Sequence, residues 1–398
     1  MTKRTIVKMP GDGIGANVLE EAIRVLDAAG FEADYVHADI GWEFWCKEGN
    51  PLPQRTIDII EEHKVALFGA ITSKPKDAAA DELCPELQGK GLVYSSPIVG
   101  LRQHFGLDVC MRPCKSYKGN PLNFIRRGKN NEIDEPGVDV VIFRQNTEGL
   151  YGGVEWSDPP QQVYDALNTH PKFQQNFSGV PKNELSVSTR IFTKEATERI
   201  LRAAFEHAQQ YGYESVTVCE KPNVIRETSG MMYKMAQEIQ ERDFSDIELW
   251  NTNIDAQMMW LTKNPENYGV IVAGNMFGDI VSDGFAGLIG GLGFACSAQF
   301  NKDTGVGVFE PTHGSAPKYA DYPVSITNPI AMISSACMML DFIDENELAT
   351  KIRNAIAEVI AEGKVRTYDM MKMKGQPDVV EKGAASTEEM ADAIIAKL

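Results

Sequence analysis

Short apolar runs, four to six residues long, alternate along this chain with longer segments in which apolar residues recur every three or four positions. That alternation restricts the fold to α/β, because strands buried on both faces must be covered by the helices that separate them. Strands are predicted at 5–9, 65–70, 138–143, 185–188, 216–219 and 270–273. Helices are predicted at 15–29, 194–210, 226–240, 279–289, 329–340 and 348–360, with a last one from Thr387. In the first helix Val18, Ala22, Val25 and Leu26 share a face. In the second, Ala196, Ile200, Leu201, Ala204, Phe205 and Ala208 do so. Over residues 152–179 the periodicity lapses into a polar stretch with Pro159, Pro160 and Pro171, which reads as a functional or intersubunit excursion.

A length of 398 residues suggests two domains, or one with a long insertion. The formal charge of −17 disfavours nucleic acid and anionic membrane surfaces as partners, but leaves room for a local arginine cluster that takes a small anion. Seven cysteines are scattered and odd in number; Cys110 and Cys114 are close but have no zinc-ligand company, so all are expected as reduced thiols. No apolar stretch approaches the roughly 20 residues of a membrane span, and no signal core follows Met1. The expected location is the cytoplasm, or an organelle matrix after removal of a transit peptide.

Four constellations carry chemistry. In the run N-M-F-G-D-I-V-S-D at 275–283, helical geometry places Asp279 and Asp283 on one face, a pairing suited to a divalent cation; the plain alternative is an acidic helix start. The sequence G-D-G-I-G-A at 11–16, after a strand and before a helix, formally matches a dinucleotide-binding turn with Asp34 or Asp39 as its ribose acid. It serves equally as a glycine turn packing strand on helix, and Asp12 would crowd a pyrophosphate. Arg102, Arg112 and Arg144 end apolar segments and suit bidentate capture of a di- or tricarboxylate, with Tyr151 as a nearby proton donor. Lys221, in C-E-K-P-N just beyond a strand, could move protons if its pKa is lowered, and Asp255 follows in N-T-N-I-D.

The order of these motifs, together with F-E-P-T-H-G-S-A-P at 309–317, resembles the isocitrate/isopropylmalate dehydrogenase family across essentially the whole chain. The resemblance implies that family's α/β fold, which is not a Rossmann fold. It implies a large cofactor-binding domain from 1–110 and 290–398, a small domain from 111–289, and a polar clasp-like segment at 152–188. It implies Mg²⁺ or Mn²⁺ held by Asp279 and Asp283, with Asp255 supplied across a homodimer interface. Lys221 would assist deprotonation of the substrate hydroxyl and Tyr151 would reprotonate the enolate carbon. Arg102, Arg112, Arg144, Ser96 and Asn223 would bind substrate, and Lys221 would also cross the interface, so that each site needs two subunits.

For the cofactor, the resemblance implies a site formed by Glu310, His313, Gly314, Ser315, Ala316 and Asn328. Lys318 and Tyr319 stand where NAD-using members have an acidic residue and its neighbour, and Tyr368 and Lys372 fall where NADP-using isocitrate enzymes place a tyrosine and an arginine. NADP is therefore expected over NAD. The alternative is that both lysines only decorate a surface. The expected reaction is oxidative decarboxylation of isocitrate. Ile98 stands where isocitrate enzymes have an asparagine, and the string Y-S-S-P-I-V at 94–99 resembles homoisocitrate enzymes, so homoisocitrate or a 3-alkylmalate is the alternative substrate. Gln145 replaces the glutamate usual after that arginine. A non-catalytic regulatory subunit of a hetero-oligomer is the alternative of another class, disfavoured because Tyr151, Lys221 and the three aspartates are all kept.

Overall fold

The computed structural model describes residues 3–128 and 130–398. Ten strands form one continuous mixed sheet: β1 (Arg4–Gly11), β2 (Ala33–His37), β3 (Val65–Ala70), β4 (Val109–Lys115), β5 (Asp139–Gln145), β6 (Ser215–Glu220), β7 (Glu248–Asn253), β8 (Val270–Ala273), β9 (Cys296–Asn301) and β10 (Val306–Pro311). Their order is β7-β6-β8-β5-β4-β9-β10-β3-β1-β2. One half thus comes from 109–273, and the other from 4–70 and 296–311.

Strands within each outer part run parallel, but β4 is antiparallel to both β5 and β9, and β9 is antiparallel to β10. This antiparallel centre departs from the doubly wound order of a dinucleotide-binding sheet. The inner strands β6, β8, β9 and β10 are buried at every residue, as a sheet covered on both faces requires.

The covering helices are α1 (Gly15–Ala29), α2 (Pro97–His104), α3 (Lys194–Tyr211), α4 (Thr228–Asp243), α5 (Asn275–Leu288), α6 (Ile330–Phe342), α7 (Asn346–Glu362) and α8 (Thr387–Ile395). The amphipathic α1 and α3 bury the faces that their spacing predicts, and α3 is capped by Thr193 and ended by Gly212 at φ 72°. α6 is buried at every position from Ile330 to Leu340 because it lies between the sheet and the helices α1 and α7. Ser386 and Glu389 form a reciprocal cap that starts α8. Among the described residues no helix is long and apolar enough to cross a membrane.

The 152–179 stretch is not a structureless loop. It leads from a two-stranded antiparallel ribbon, Glu155–Ser157 with Ser186–Ser188, through two short helices at Gln161–Leu167 and Pro171–Phe177. Two of its prolines mark helix starts, since a proline in the first turn forfeits no intrahelical bond. Tyr164, Phe173 and Phe177 pack edge-on or tilted against one another, too few apolar residues to register as helical periodicity.

Candidate active site

Arg112 in β4 and Arg144 near the end of β5 point at the first turns of α5. Arg112 donates through Nη1 to Asp279 Oδ1 at 3.1 Å and to Ser282 Oγ at 2.8 Å, and lies 3.6 Å from Asp283. Arg144 also donates to Asp279 Oδ1, while its Nε and Nη2 hold Asn275 Oδ1 at 3.0 and 2.9 Å. Both guanidiniums are buried. Burial works against the Arg112 charge, but Cys110, Asp279, Asp283 and Glu310 around it raise its pKa overall. Arg144 is pulled down to about 10, first by burial and then by the like charge of Arg112. Tyr151 reaches over the pair, its hydroxyl 3.4 Å from Asp279 Oδ2 and its ring 5.6 Å from the Arg144 guanidinium. Partial burial and the Asp279 charge raise the phenol's pKa, so that it keeps its proton.

A second layer supports the arginines. Arg102, from α2, donates to Gln299 Oε1 at 2.5 Å and approaches Glu310 at 3.5 Å; Gln299 in turn donates to Glu310 and accepts from Asn146 at 2.8 Å. Burial raises the Glu310 carboxyl, and the three arginines oppose that shift. Glu310, expected at the cofactor, is therefore also the counter-charge of the arginine floor. Gln145 accepts from the amides of Thr147 and Glu148 at 3.2 and 2.8 Å, so in place of a glutamate it holds the turn toward Tyr151. Asn275, Gln299 and Asn146 were not among the residues expected at the site, and Gln299, in a fully buried strand, gives no motif by which to find it.

Among the described residues, no ion pair joins Lys221 or Asp255 to this cluster. They extend from the neighbouring ends of β6 and β7, where Glu220 is in register with Asn253, and they pair with each other. Hydrogen bonding from Lys221 lowers the Asp255 carboxyl. Asn223, in the turn that follows, is exposed. Among the described residues no three His, Cys, Asp or Glu side chains gather to hold a metal. Asp279 and Asp283 present hard carboxylate oxygens on one helix face, the donor chemistry of Mg²⁺ or Mn²⁺.

The turn after β1 is packed onto the loop that follows β10. Ile14 donates to Ser315 O at 2.9 Å, and a Cβ at Gly13 would lie 2.1 Å from that oxygen, so only glycine fits. Asp12 accepts from the amides of Trp42 at 2.7 Å and Thr72 at 2.8 Å; the carboxylate ties loops together. Ser315 and Thr72 share a hydroxyl contact of 2.6 Å. Beside them, His313 Nε2 is buried without a hydrogen-bond partner among the described residues, a Cβ on Gly314 would make only a loose contact, 3.9 Å from Ile71 O, and Ala316 adopts φ 37°. With Nδ1 donating to Gly314 O at 3.0 Å and burial lowering the ring's pKa, Nε2 is an unpartnered acceptor, which fits a bound ligand at this loop.

Lys318 lies 4.5 Å over the Tyr319 ring, which packs against Tyr322 and Tyr368 at 5.6 and 5.8 Å. Lys372 is exposed at φ 56°. The side chain of Asn328 is occupied within the fold, accepting from Ile330 N at 3.0 Å and donating to Asp369 at 3.1 Å. Ser96 precedes α2 and its hydroxyl makes no capping bond. Ile98 is not a free apolar side chain at the cleft: it is buried in a cluster with Val7, Ile57, Leu101 and Phe105, while Val99 on the same turn is 39% exposed.

The isocitrate/isopropylmalate dehydrogenase family profile matches residues 5–394. The chain belongs to that family. It is 38% identical over 392 residues to the protein DlpA of Legionella pneumophila, covering 98% of this chain and 58% of that relative's length. It is 35% identical to a homoisocitrate dehydrogenase of Methanocaldococcus jannaschii, covering 97% of this chain and 95% of the other. Among solved structures it is similar to an isocitrate dehydrogenase from Methylococcus capsulatus, with a TM-score of 0.79, 32% identity and 99% of each chain covered. Members of this family are oxidoreductases that act on small hydroxy acids by oxidative decarboxylation, with a divalent metal and NAD(P). Relatives of different substrate stand at similar identity, so similarity alone does not choose among them.

Proposed function

We propose that this protein oxidises and decarboxylates isocitrate to 2-oxoglutarate with reduction of NADP, in a homodimer whose active sites each draw on two chains. The observation that carries this reading is the convergence of Arg102, Arg112 and Arg144 beside Asp279 and Asp283, in a chain of strong overall negative charge. Such a cluster suits an acid with several carboxylates, and the two aspartates suit the cation that accompanies it.

Asp279 and Asp283, with Asp255 of a second chain, would hold Mg²⁺ or Mn²⁺, which when bound acidifies the substrate hydroxyl and stabilises developing enolate charge. The arginines grip the carboxylates and fix the carbon that loses hydride. Ser96, whose hydroxyl makes no capping bond, is available to a distal carboxylate. Lys221 takes up the hydroxyl proton, and Tyr151, whose phenol remains protonated, delivers one to carbon after carbon dioxide leaves. Lys318, Tyr319, Tyr368 and Lys372 supply two cations and two phenols for a 2′-phosphate, which supports NADP over NAD.

Homoisocitrate is the second reading, favoured by one observation: the position that would offer an amide to isocitrate is Ile98, turned into a hydrophobic cluster. A spectrophotometric matrix of isocitrate, homoisocitrate and 3-isopropylmalate against NAD and NADP tests both. Highest kcat/KM with isocitrate and NADP is the expected result; a preference for either other acid, or for NAD, overturns that part of the reading.

A further inference from the structure

Glu220, the last residue of β6, is fully buried and has no part in the chemistry described above. A buried carboxylate persists only where its charge is matched and its lone pairs are filled. Its Oε2 is met by Arg190 Nη2 at 2.7 Å and by Ser229 Oγ at 2.5 Å, and its Oε1 accepts from the amide of Gly274 at 2.7 Å. Gly274 is the residue from which α5 starts. A Cβ there would stand 2.5 Å from Glu220 Oε1 and 2.6 Å from the Phe192 ring, so the approach requires glycine. Ser229 also receives the amide of Lys221 at 3.4 Å, and Arg190 reaches Thr228 at 2.8 Å from just beyond the ribbon strand Ser186–Ser188.

We propose that Glu220 is a positioning residue that fixes two pieces of machinery at once: the strand end carrying Lys221, and the helix turn carrying Asp279. The proposal rests on the functional reading above. In that reading Lys221 serves the second chain's site while Asp279 serves its own, so this single carboxylate mechanically joins two active sites of the dimer.

The test uses the full-length homodimer and the variants Glu220→Gln and Ser229→Ala, with Mn²⁺ binding followed by EPR, and with kcat, KM and the pH profile of kcat. Glu220→Gln keeps the shape but sets an amide against the donors of Arg190. It is expected to lower kcat by about ten-fold or more, weaken Mn²⁺ binding by several-fold, and displace the pH profile of kcat. Ser229→Ala removes the bond to the Lys221 amide and one bond to Glu220 but leaves the Glu220–Gly274 bond in place; it is expected to lower kcat by about three-fold with Mn²⁺ affinity unchanged.

A folded, dimeric Glu220→Gln protein with Mn²⁺ affinity, kcat and pH profile like those of the parent overturns the proposal. If that variant does not fold, Ser229→Ala decides: unchanged kcat overturns it, and loss of kcat alone supports it. Lys221→Met separates the two levels. Full turnover in Lys221→Met defeats the functional reading itself, whereas an inactive Lys221→Met beside an unaffected Glu220→Gln defeats only the positioning role.

Discussion

Arg144 grips Asp279 from beneath the cleft, with its other nitrogens locked onto Asn275, so the carboxylate expected to bind metal is already oriented by a buried cation. Replacing Arg144 by Met leaves Asn275 Oδ1 without its donors and removes one of the two arginines on Asp279. Losing a charge-assisted bond of about 1.5–3 kcal/mol corresponds to a fall of roughly ten- to hundred-fold in kcat/KM. Steady-state kinetics with the preferred acid should record it mainly in KM, because the clamp acts on the bound substrate.

Gly278 lies in the first turn of α5, where alanine would ordinarily favour the helix. Here a Cβ would fall 2.8 Å from both Cβ and Cγ of Arg144. Gly278→Ala is therefore predicted to destabilise the fold by about 1–3 kcal/mol through overpacking, read as a lower denaturant midpoint, and to displace Arg144 and depress activity with it.

The same region marks how far sequence reasoning reached. β3 (65–70), β8 (270–273) and helix α1 (15–29) were legible because their apolar content matches one period throughout. β4, β7 and β9 were not: β4 carries Arg112 and Pro113, and β7 reads E-L-W-N-T-N, since an edge strand buries little. Asp279, Tyr151 and the arginines were singled out through motif order, and the structure brings Arg112, Arg144 and Tyr151 onto Asp279. The roles of Asn275 and Gln299 were hidden, because a buried amide that holds an arginine has no spacing signature. The burial of Ile98 was not legible, because the face that a residue takes on the short helix α2 depends on the cluster beneath it.

Lys318 and Tyr319 make separable contributions to cofactor choice. Lys318→Asp is predicted to shift the NADP/NAD ratio of kcat/KM toward NAD by 2–4 kcal/mol, roughly 30- to 1,000-fold, from loss of attraction and gain of repulsion at a 2′-phosphate. Adding Tyr319→Ile should extend that shift but also lower thermal stability, because Tyr319 packs on Tyr322 and Tyr368. A parent protein that already prefers NAD would contradict the assignment.

His207, on α3, sits against Tyr211 at 4.4 Å and Phe143 at 5.3 Å. Burial, aided by Lys302, lowers its pKa to about 4. The unfolded chain takes up this proton near pH 6.5 and the folded chain does not, so stability is complete above 6.5 and is lost as pH falls toward 4. The loss amounts to at most about 3 kcal/mol. Denaturation midpoints measured from pH 7.5 to 4.5 should fall less steeply in His207→Phe than in the parent.

The central claim is that carboxylates gathered at Asp279 couple oxidation of a hydroxy acid to loss of its carboxyl group with the help of one hard cation. The most direct measurement follows NADPH absorbance and carbon dioxide release together, with isocitrate, in Mg²⁺ and after exhaustive chelation. Equal yields of the two products that vanish with chelator, return with Mg²⁺ or Mn²⁺ and are absent in Asp279→Asn are predicted. Undiminished turnover in the chelated protein would contradict the account.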